Sequence, residues 1–318
     1  MEKEIFAKRY SNHPEIIETR DTTDCSRVVL KSNYPSNFSE NRSIPLYLYS
    51  GGKKGTVLFF HGRGEKNLDY LRWFPATFAK WGYSGAMMIL PFHFERTPAG
   101  HRSGELFLDP RTDVLRERFE NAVVDGLTAL NYLKCECPPP YFLMGYSFGG
   151  FISVITAALD KSICGLSLVV TGGNFYHITW KSFVTGVMRV KYEEDGSCSK
   201  EKCRKLHGED HERYIRSLES PELEIGSAPI SCFEYDPLTF AKFVKCPTLI
   251  NGALFDIFVP RRSTKELSEK IPDSTLRWMP SGHLTSILFK KTILKRSIDF
   301  FEGRCEGKRG VLWTRGGG

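Results

Sequence analysis

The stretch that most constrains this chain is YFLMGYSFGGFISVITAALD, residues 141–160. Tyr141 to Met144 read as a buried strand, and Gly145-Tyr146-Ser147-Phe148-Gly149 then turns the chain into an apolar helix that begins near Gly150. A serine on so sharp a strand-to-helix turn is held at positive φ, so the residues two away on either side must lack a Cβ. Gly145 and Gly149 meet that requirement. The geometry lifts a Ser147 hydroxyl above the edge of a sheet, which makes it a candidate nucleophile.

Three further stretches fall where such a serine would need them. Thr56-Val57-Leu58-Phe59-Phe60 is a continuous apolar strand ending in His61-Gly62-Arg63-Gly64. A developing oxyanion needs two preorganised donors, one from the residue after the nucleophile and one from the loop after an earlier strand. The candidates are the backbone N–H groups of Phe148 and Arg63. Downstream, the strand Cys246–Asn251 runs into GALFDIFVP, where Asp256 is placed to orient an imidazole; Asp236 and Asp273 read instead as a turn residue and a helix-exit residue. The last strand, Ser274–Met279, is followed by Pro280-Ser281-Gly282-His283. The chain order Ser147, Asp256, His283 is the nucleophile–acid–base order of a hydrolase built on such a sheet.

Between these landmarks the chain alternates strand and helix. Residues 1–20 read as a leading helix or arm, and Arg27–Leu30 and Ile44–Tyr49 as an antiparallel pair at one sheet edge. Amphipathic helices are expected over 67–80 and 111–134, separated by a strand from Ser84 to Leu90. The long loop after that strand carries His93, Glu95, Arg96, His101, Arg102 and Glu105. Loops at this edge rim ligand sites in open α/β sheets, so His93 and Arg96 are candidate substrate-binding residues, against the plainer reading of an ion-pair cluster that holds the loop.

From about 172 to 245 the alternation stops, which suits a helical lid inserted into one domain spanning residues 1–318. Helices are expected over 178–192 and 200–218. The first carries Trp180, Phe183, Val184, Val187 and Met188, and Trp180 is a third candidate for substrate contact. The second contains Cys203, His207 and His211, with Cys198 in the loop before it, at a spacing that a tetrahedral zinc site could use, but not at that of a common zinc module, so no metal and no cofactor is expected.

Composition narrows the class further. The net charge of +7 comes from scattered Lys and Arg, with the densest groups (Lys290-Lys291, Lys295-Arg296, Arg304, Lys308-Arg309) on a last helix and its tail; they read as a solvated face, not a nucleic-acid patch. No run approaches the roughly 18 apolar residues that span a bilayer, and no apolar leader opens the chain. Nine cysteines without a disulfide-like framework, Cys135-Glu136-Cys137 among them, agree with a reducing compartment, so a cytoplasmic protein is expected. The ending GVLWTRGGG reads as a tail outside the fold.

Through HGRG, GYSFGG, FDIFVP and SGH in order, the chain resembles the α/β-hydrolase superfamily over residues 45–301, closest to its bacterial esterase and dienelactone-hydrolase-like branches. The resemblance implies an eight-stranded, mostly parallel sheet flanked by helices, with Ser147 as nucleophile, His283 as base and Asp256 as its orienting acid. Dienelactone hydrolases proper carry cysteine at the elbow, and this chain carries serine. The implied activity is that of a serine carboxylesterase acting on a small-molecule ester. A small peptidase or amidase with the same triad, or a non-catalytic binding member of the superfamily, are the alternatives.

Overall fold

The computed structural model describes residues 4–64 and 67–312. Nine strands are present among them: β1 (Ile16–Asp21), β2 (Ser26–Lys31), β3 (Ser43–Tyr49), β4 (Thr56–Phe60), β5 (Ser84–Met88), β6 (Tyr141–Tyr146), β7 (Ile163–Val169), β8 (Thr248–Ala253) and β9 (Ser274–Met279). They form one sheet in the order β1-β2-β3-β5-β4-β6-β7-β8-β9. The pairs from β1 to β5 are antiparallel and those from β5 to β9 are parallel. This is the α/β-hydrolase fold, with one strand more than the eight expected. The extra strand is β1, in a region read from sequence as a helix or arm. Every residue of IIETRD is exposed, so no alternation of buried and polar positions marks it; only its pairing with β2 makes it a strand.

The central strands are buried on both faces, and their side chains divide by the two-residue period of a strand. Leu58 and Phe60 of β4, with Leu143 of β6, face one core together with helices α2 (Thr112–Glu136) and α3 (Phe148–Leu159). Val57, Phe59, Phe142 and Met144 face the other, against α1 (Asp69–Lys80) and the C-terminal helix, Lys290–Leu312. Two covered faces explain why β4 reads as an unbroken apolar run.

Segment 172–245 is helical but more broken than its sequence suggests. It contains α4 (Phe175–Lys181), α5 (Gly186–Glu194), α6 (Lys200–Lys205), a π turn at Leu206–Asp210, α7 (His211–Ser217) and α8 (Pro237–Ala241). The single helix expected over 178–192 stops at Ser182, which is extended. Thr185 Oγ1 donates to the Ile178 and Thr179 carbonyls, and Arg189 Nη1 donates to those of Thr179 and Ser182, so side chains satisfy the end of α4. The apolar stripe therefore splits: Trp180 and Met188 are buried, whereas Phe183 and Val187 are 73% and 76% exposed.

No described helix is long and apolar enough to cross a membrane. No disulfide occurs among the described residues, and Cys135 and Cys137 are free thiols. Residues 313–318 of the expected tail, and the side chains of Arg304, Lys308 and Arg309, lie outside the description.

Candidate active site

The C-terminal ends of the parallel strands lie on one edge of the sheet, and there the loops after β4, β6 and β9 bring Arg63, Ser147 and His283 around one cavity, with Asp256 from the loop after β8 paired to His283. Ser147 stands between β6 and α3 with φ 52° and ψ −118°, a conformation that side chains with a Cβ rarely adopt. It is kept there by its surroundings. A Cβ on Gly145 would lie 2.5 Å from Gly150 Cα, and one on Gly149 would lie 2.1 Å from the Phe60 carbonyl oxygen. The turn closes only with glycine at both places.

Ser147 Oγ lies 2.7 Å from His283 Nε2, and His283 Nδ1 lies 2.8 Å from Asp256 Oδ2. A carboxylate can only accept, so Nδ1 carries the ring proton and Nε2 is left to accept from the serine hydroxyl. Asp256 is itself held: its Oδ1 accepts from the backbone N–H groups of Phe258 and Val259, both at 2.8 Å. Its side chain is 2% exposed, so the negative charge acts on the imidazole without much screening by water. His283 is held from two further sides. Phe258 packs against the ring at 5.0 Å, and Ser286 Oγ donates to the His283 carbonyl.

The residues of the two proposed oxyanion donors border the same cavity, and Gly149 lets α3 press against the end of β4. Phe148 is the first residue of α3, so its N–H has no acceptor within the helix. Arg63 lines the same cavity; its guanidinium turns back to donate to the Gly104 carbonyl, and burial pulls its pKa down. Between β4 and β5, His61 is wholly buried. Its Nε2 accepts from Leu90 N–H and its Nδ1 donates to the Gly62 carbonyl, so the imidazole staples the start of this loop to the neighbouring strand.

The cavity over Ser147 measures about 560 Å³ and is walled by Tyr70, Phe151, Ile178, Val184, Phe258 and Val259 among others. A second cavity of about 350 Å³ adjoins it beneath segment 172–245, with Leu108, Phe148, Phe151, Ile178 and Thr185 as shared walls. The model of the family alpha/beta hydrolase domain containing 18 matches residues 122–302, more than half of the chain. The chain belongs to this family.

The matched span holds the Ser147 turn, the Asp256 loop and His283, while Arg63 precedes it. No curated protein matches. Among solved structures, the fold is similar to that of a novel cold-adapted esterase from an Arctic intertidal metagenomic library, with a TM-score of 0.55 and 19% identity, over 91% of this chain and 97% of that one. It is also similar to acetyl xylan esterase from Paenibacillus sp. R4 (TM-score 0.57, 14% identity, 92% and 88% covered). Acetyl xylan esterase 1 from Thermoanaerobacterium sp. JW/SL YS485 gives 0.58 and 15%, with 89% and 88% covered. At these identities the likeness is one of fold.

Three candidates for substrate contact in this alpha/beta hydrolase stand elsewhere. Arg96 is fully buried and bonded to Asp125 of α2 at 2.6 Å, with further donations to the Ile89 and Asn41 carbonyls. It holds the loop and does not line the cavity over Ser147. His93 is likewise buried, its Nδ1 on the Pro91 carbonyl and its ring edge-on to His61. Trp180 sits in a small apolar cluster with Tyr176 and Cys203, among neither set of cavity-lining residues. Tyr70 and Phe151, which do wall the main cavity, carry no mark in the sequence that sets them apart. Phe258 follows Asp256 by two positions, and that spacing was the one available signal.

Proposed function

We propose that this protein is a serine hydrolase that cleaves carboxylic esters of small molecules by two-step acyl transfer. The observation that carries the reading is the hydrogen-bonded line Ser147–His283–Asp256 opening on a largely apolar cavity. His283 Nε2 takes the hydroxyl proton as Ser147 Oγ attacks the ester carbonyl. The backbone N–H groups of Phe148 and Arg63 hold the resulting oxyanion; one such donor contributes about 3 kcal/mol to barrier lowering. As the intermediate collapses, the imidazolium returns its proton to the leaving alcohol. Water, deprotonated by the same imidazole, then releases the acid from the acyl-enzyme. Asp256 keeps the Nδ1–H tautomer and stabilises the imidazolium formed in each step.

Segment 172–245 acts as a lid in this reading, with Ile178, Val184 and Thr185 as its contribution to the cavity wall. Exposed Phe183 stacks on Phe258 at 6.5 Å, and its N–H donates to the Ile257 carbonyl, which couples the lid to the acid-bearing loop. Apolar walls on both cavities favour an ester with an apolar acyl or alcohol part.

The test is incubation with a fluorophosphonate probe followed by intact mass, on wild type and Ser147→Ala. One adduct in wild type and none in the variant is expected, with p-nitrophenyl esters turned over in preference to aminoacyl-nitroanilides. A folded wild-type protein that takes no adduct would sink the proposal, and turnover of the anilides alone would make it an amidase.

A further inference from the structure

Outside the catalytic cavity, two buried imidazoles and a buried carboxylate gather where α7 meets the start of α8. His207, His211 and Asp236 each offer one ligand atom there, all within 4.8 Å of one another. His207 and His211 are 5% and 1% exposed, and Asp236 is fully buried. The Nδ1 atoms of both imidazoles lack a hydrogen-bond partner. His207 Nδ1 stands 3.6 Å from Asp236 Oδ2, too far for a hydrogen bond.

The surrounding hydrogen bonds fix one tautomer. Thr239 Oγ1 spends its proton on the Phe233 carbonyl at 2.6 Å, so at the 2.8 Å contact with His211 Nε2 it can only accept. His211 therefore carries its proton on Nε2 and leaves a bare lone pair on its buried Nδ1. His207 Nε2 faces Cys232 Sγ at 3.3 Å, and with the proton on that nitrogen its Nδ1 is bare as well. Asp236 Oδ1 accepts from Asn174 and Leu238 N–H and Oδ2 from Phe175 N–H, which orients the carboxylate and leaves Oδ2 a second lone pair. Lone pairs converging in a buried space are costly unless a cation sits among them.

We propose that His207, His211 and Asp236 form a binding site for a divalent transition metal, zinc by its two-nitrogen, one-carboxylate donor set, which clamps the middle of the lid segment to the start of α8 within the same segment. The donors differ from the Cys198, Cys203, His207, His211 set that the sequence spacing offers. Cys203 packs with Tyr176 and Trp180 instead, with Cys198 against it, and the carboxylate comes from 25 positions beyond His211. The π turn at Leu206–Asp210 keeps the two imidazoles adjacent, 5.3 Å between ring centres, across the kink at Gly208. Thr239 supplies the outer-shell acceptor that a metal-bound histidine normally has. His207 also borders the adjoining cavity of about 350 Å³, which gives an ion and a completing water a way in. The clamp joins both ends of the segment, because Asp236 also holds the N–H groups of Asn174 and Phe175.

The decisive measurement uses the full chain, purified without chelator or immobilised metal, loaded with zinc chloride and dialysed. Metal analysis by mass spectrometry is expected to give about one zinc per chain, and cobalt substitution the visible d–d bands of a four-coordinate nitrogen–oxygen site. His211→Asn, checked for folding by circular dichroism, should lose the metal, and Thr239→Val should weaken affinity about 10–100-fold. The thermal midpoint should rise with zinc in wild type and not in His211→Asn. Zinc below about 0.1 per chain with no cobalt bands overturns the proposal, as does metal retained at full stoichiometry by a folded His211→Asn. Should that variant not fold, the wild-type cobalt spectrum decides: bands of the stated type support the site and their absence refutes it.

Discussion

The Cβ that Gly149 lacks would stand 2.1 Å from the carbonyl oxygen of Phe60. That single contact joins the serine turn to the end of β4, and so sets the distance between Ser147 and the loop of Arg63. Gly149→Ala must push α3 away from the strand or distort β4, and backbone cannot swing aside as a flexible side chain can. The variant should lose about 3 kcal/mol of stability or more. Urea unfolding measures this, and the fluorophosphonate reaction of the fraction still folded should slow as well. A variant as stable and as reactive as wild type would show that α3 and β4 are less closely joined.

Asp256→Asn tests the electrostatics of the site apart from its shape. The asparagine Oδ1 can keep the Phe258 and Val259 N–H bonds, so the loop should hold. Its amide then faces His283 Nδ1 as a donor, which forces the proton to Nε2 and removes the acceptor that Ser147 needs. A fall in kcat of about 10⁴-fold, with a thermal midpoint close to wild type, is expected from ester kinetics and a melting curve. A loss of only a few-fold would mean that another group orients the imidazole.

How far the site can be read from the sequence follows from the range over which each constraint acts. The Ser147 turn is local stereochemistry: glycine at 145 and 149 is demanded within a few residues, so the motif is visible without a structure. The loops of Arg63 and Asp256 are visible because each follows a strand buried throughout, whereas β9 before His283 is only partly buried and His283 is marked by its place after Ser147 and Asp256 in chain order. Arg96 is the opposite case. Whether its guanidinium meets solvent, a ligand or a carboxylate depends on Asp125, which lies on another element, and nothing near Arg96 reveals that partner. β1 escaped for the same reason, since an exposed edge strand owes its existence to β2. The break at Ser182 depends on Thr185 and Arg189 reaching back to carbonyls, which hydrophobic periodicity does not record.

The Arg96–Asp125 pair carries a prediction of its own. Both side chains are fully buried, and burial pushes the Asp125 carboxyl up even though the neighbouring guanidinium, Ser32 and Asn121 favour its charged form. Arg96→Met leaves that carboxylate without its cation and should cost about 3–5 kcal/mol. The double variant Arg96→Met/Asp125→Leu should cost markedly less than the sum of the two single changes, as a double-mutant cycle from urea denaturation would show. Ester turnover per folded molecule should stay near wild type in the double variant. A selective rise in KM with stability intact would return Arg96 to the substrate.

His61 should make stability depend on pH in a definite direction. Burial, the largest influence, lowers its pKa to about 4, from about 6.5 in an exposed chain, while the bond to the Gly62 carbonyl opposes the shift. The imidazole is kept neutral because Nε2 accepts from Leu90 N–H, and a proton there would face another donor. As pH falls from 6.5 towards 4 the unfolded chain takes up a proton that the folded chain refuses, so the contribution is full above pH 6.5 and is lost across that window. The loss from this group between pH 7 and pH 5 should be about 2 kcal/mol. His93, also buried and lowered well below its ordinary value, adds in the same direction. His61→Gln keeps an acceptor for Leu90 N–H and cannot titrate, so its urea-derived stability should fall by about 2 kcal/mol less than that of wild type over the same interval. Equal slopes in the two proteins would mean that His61 takes up its proton in the folded state as readily as in the unfolded chain.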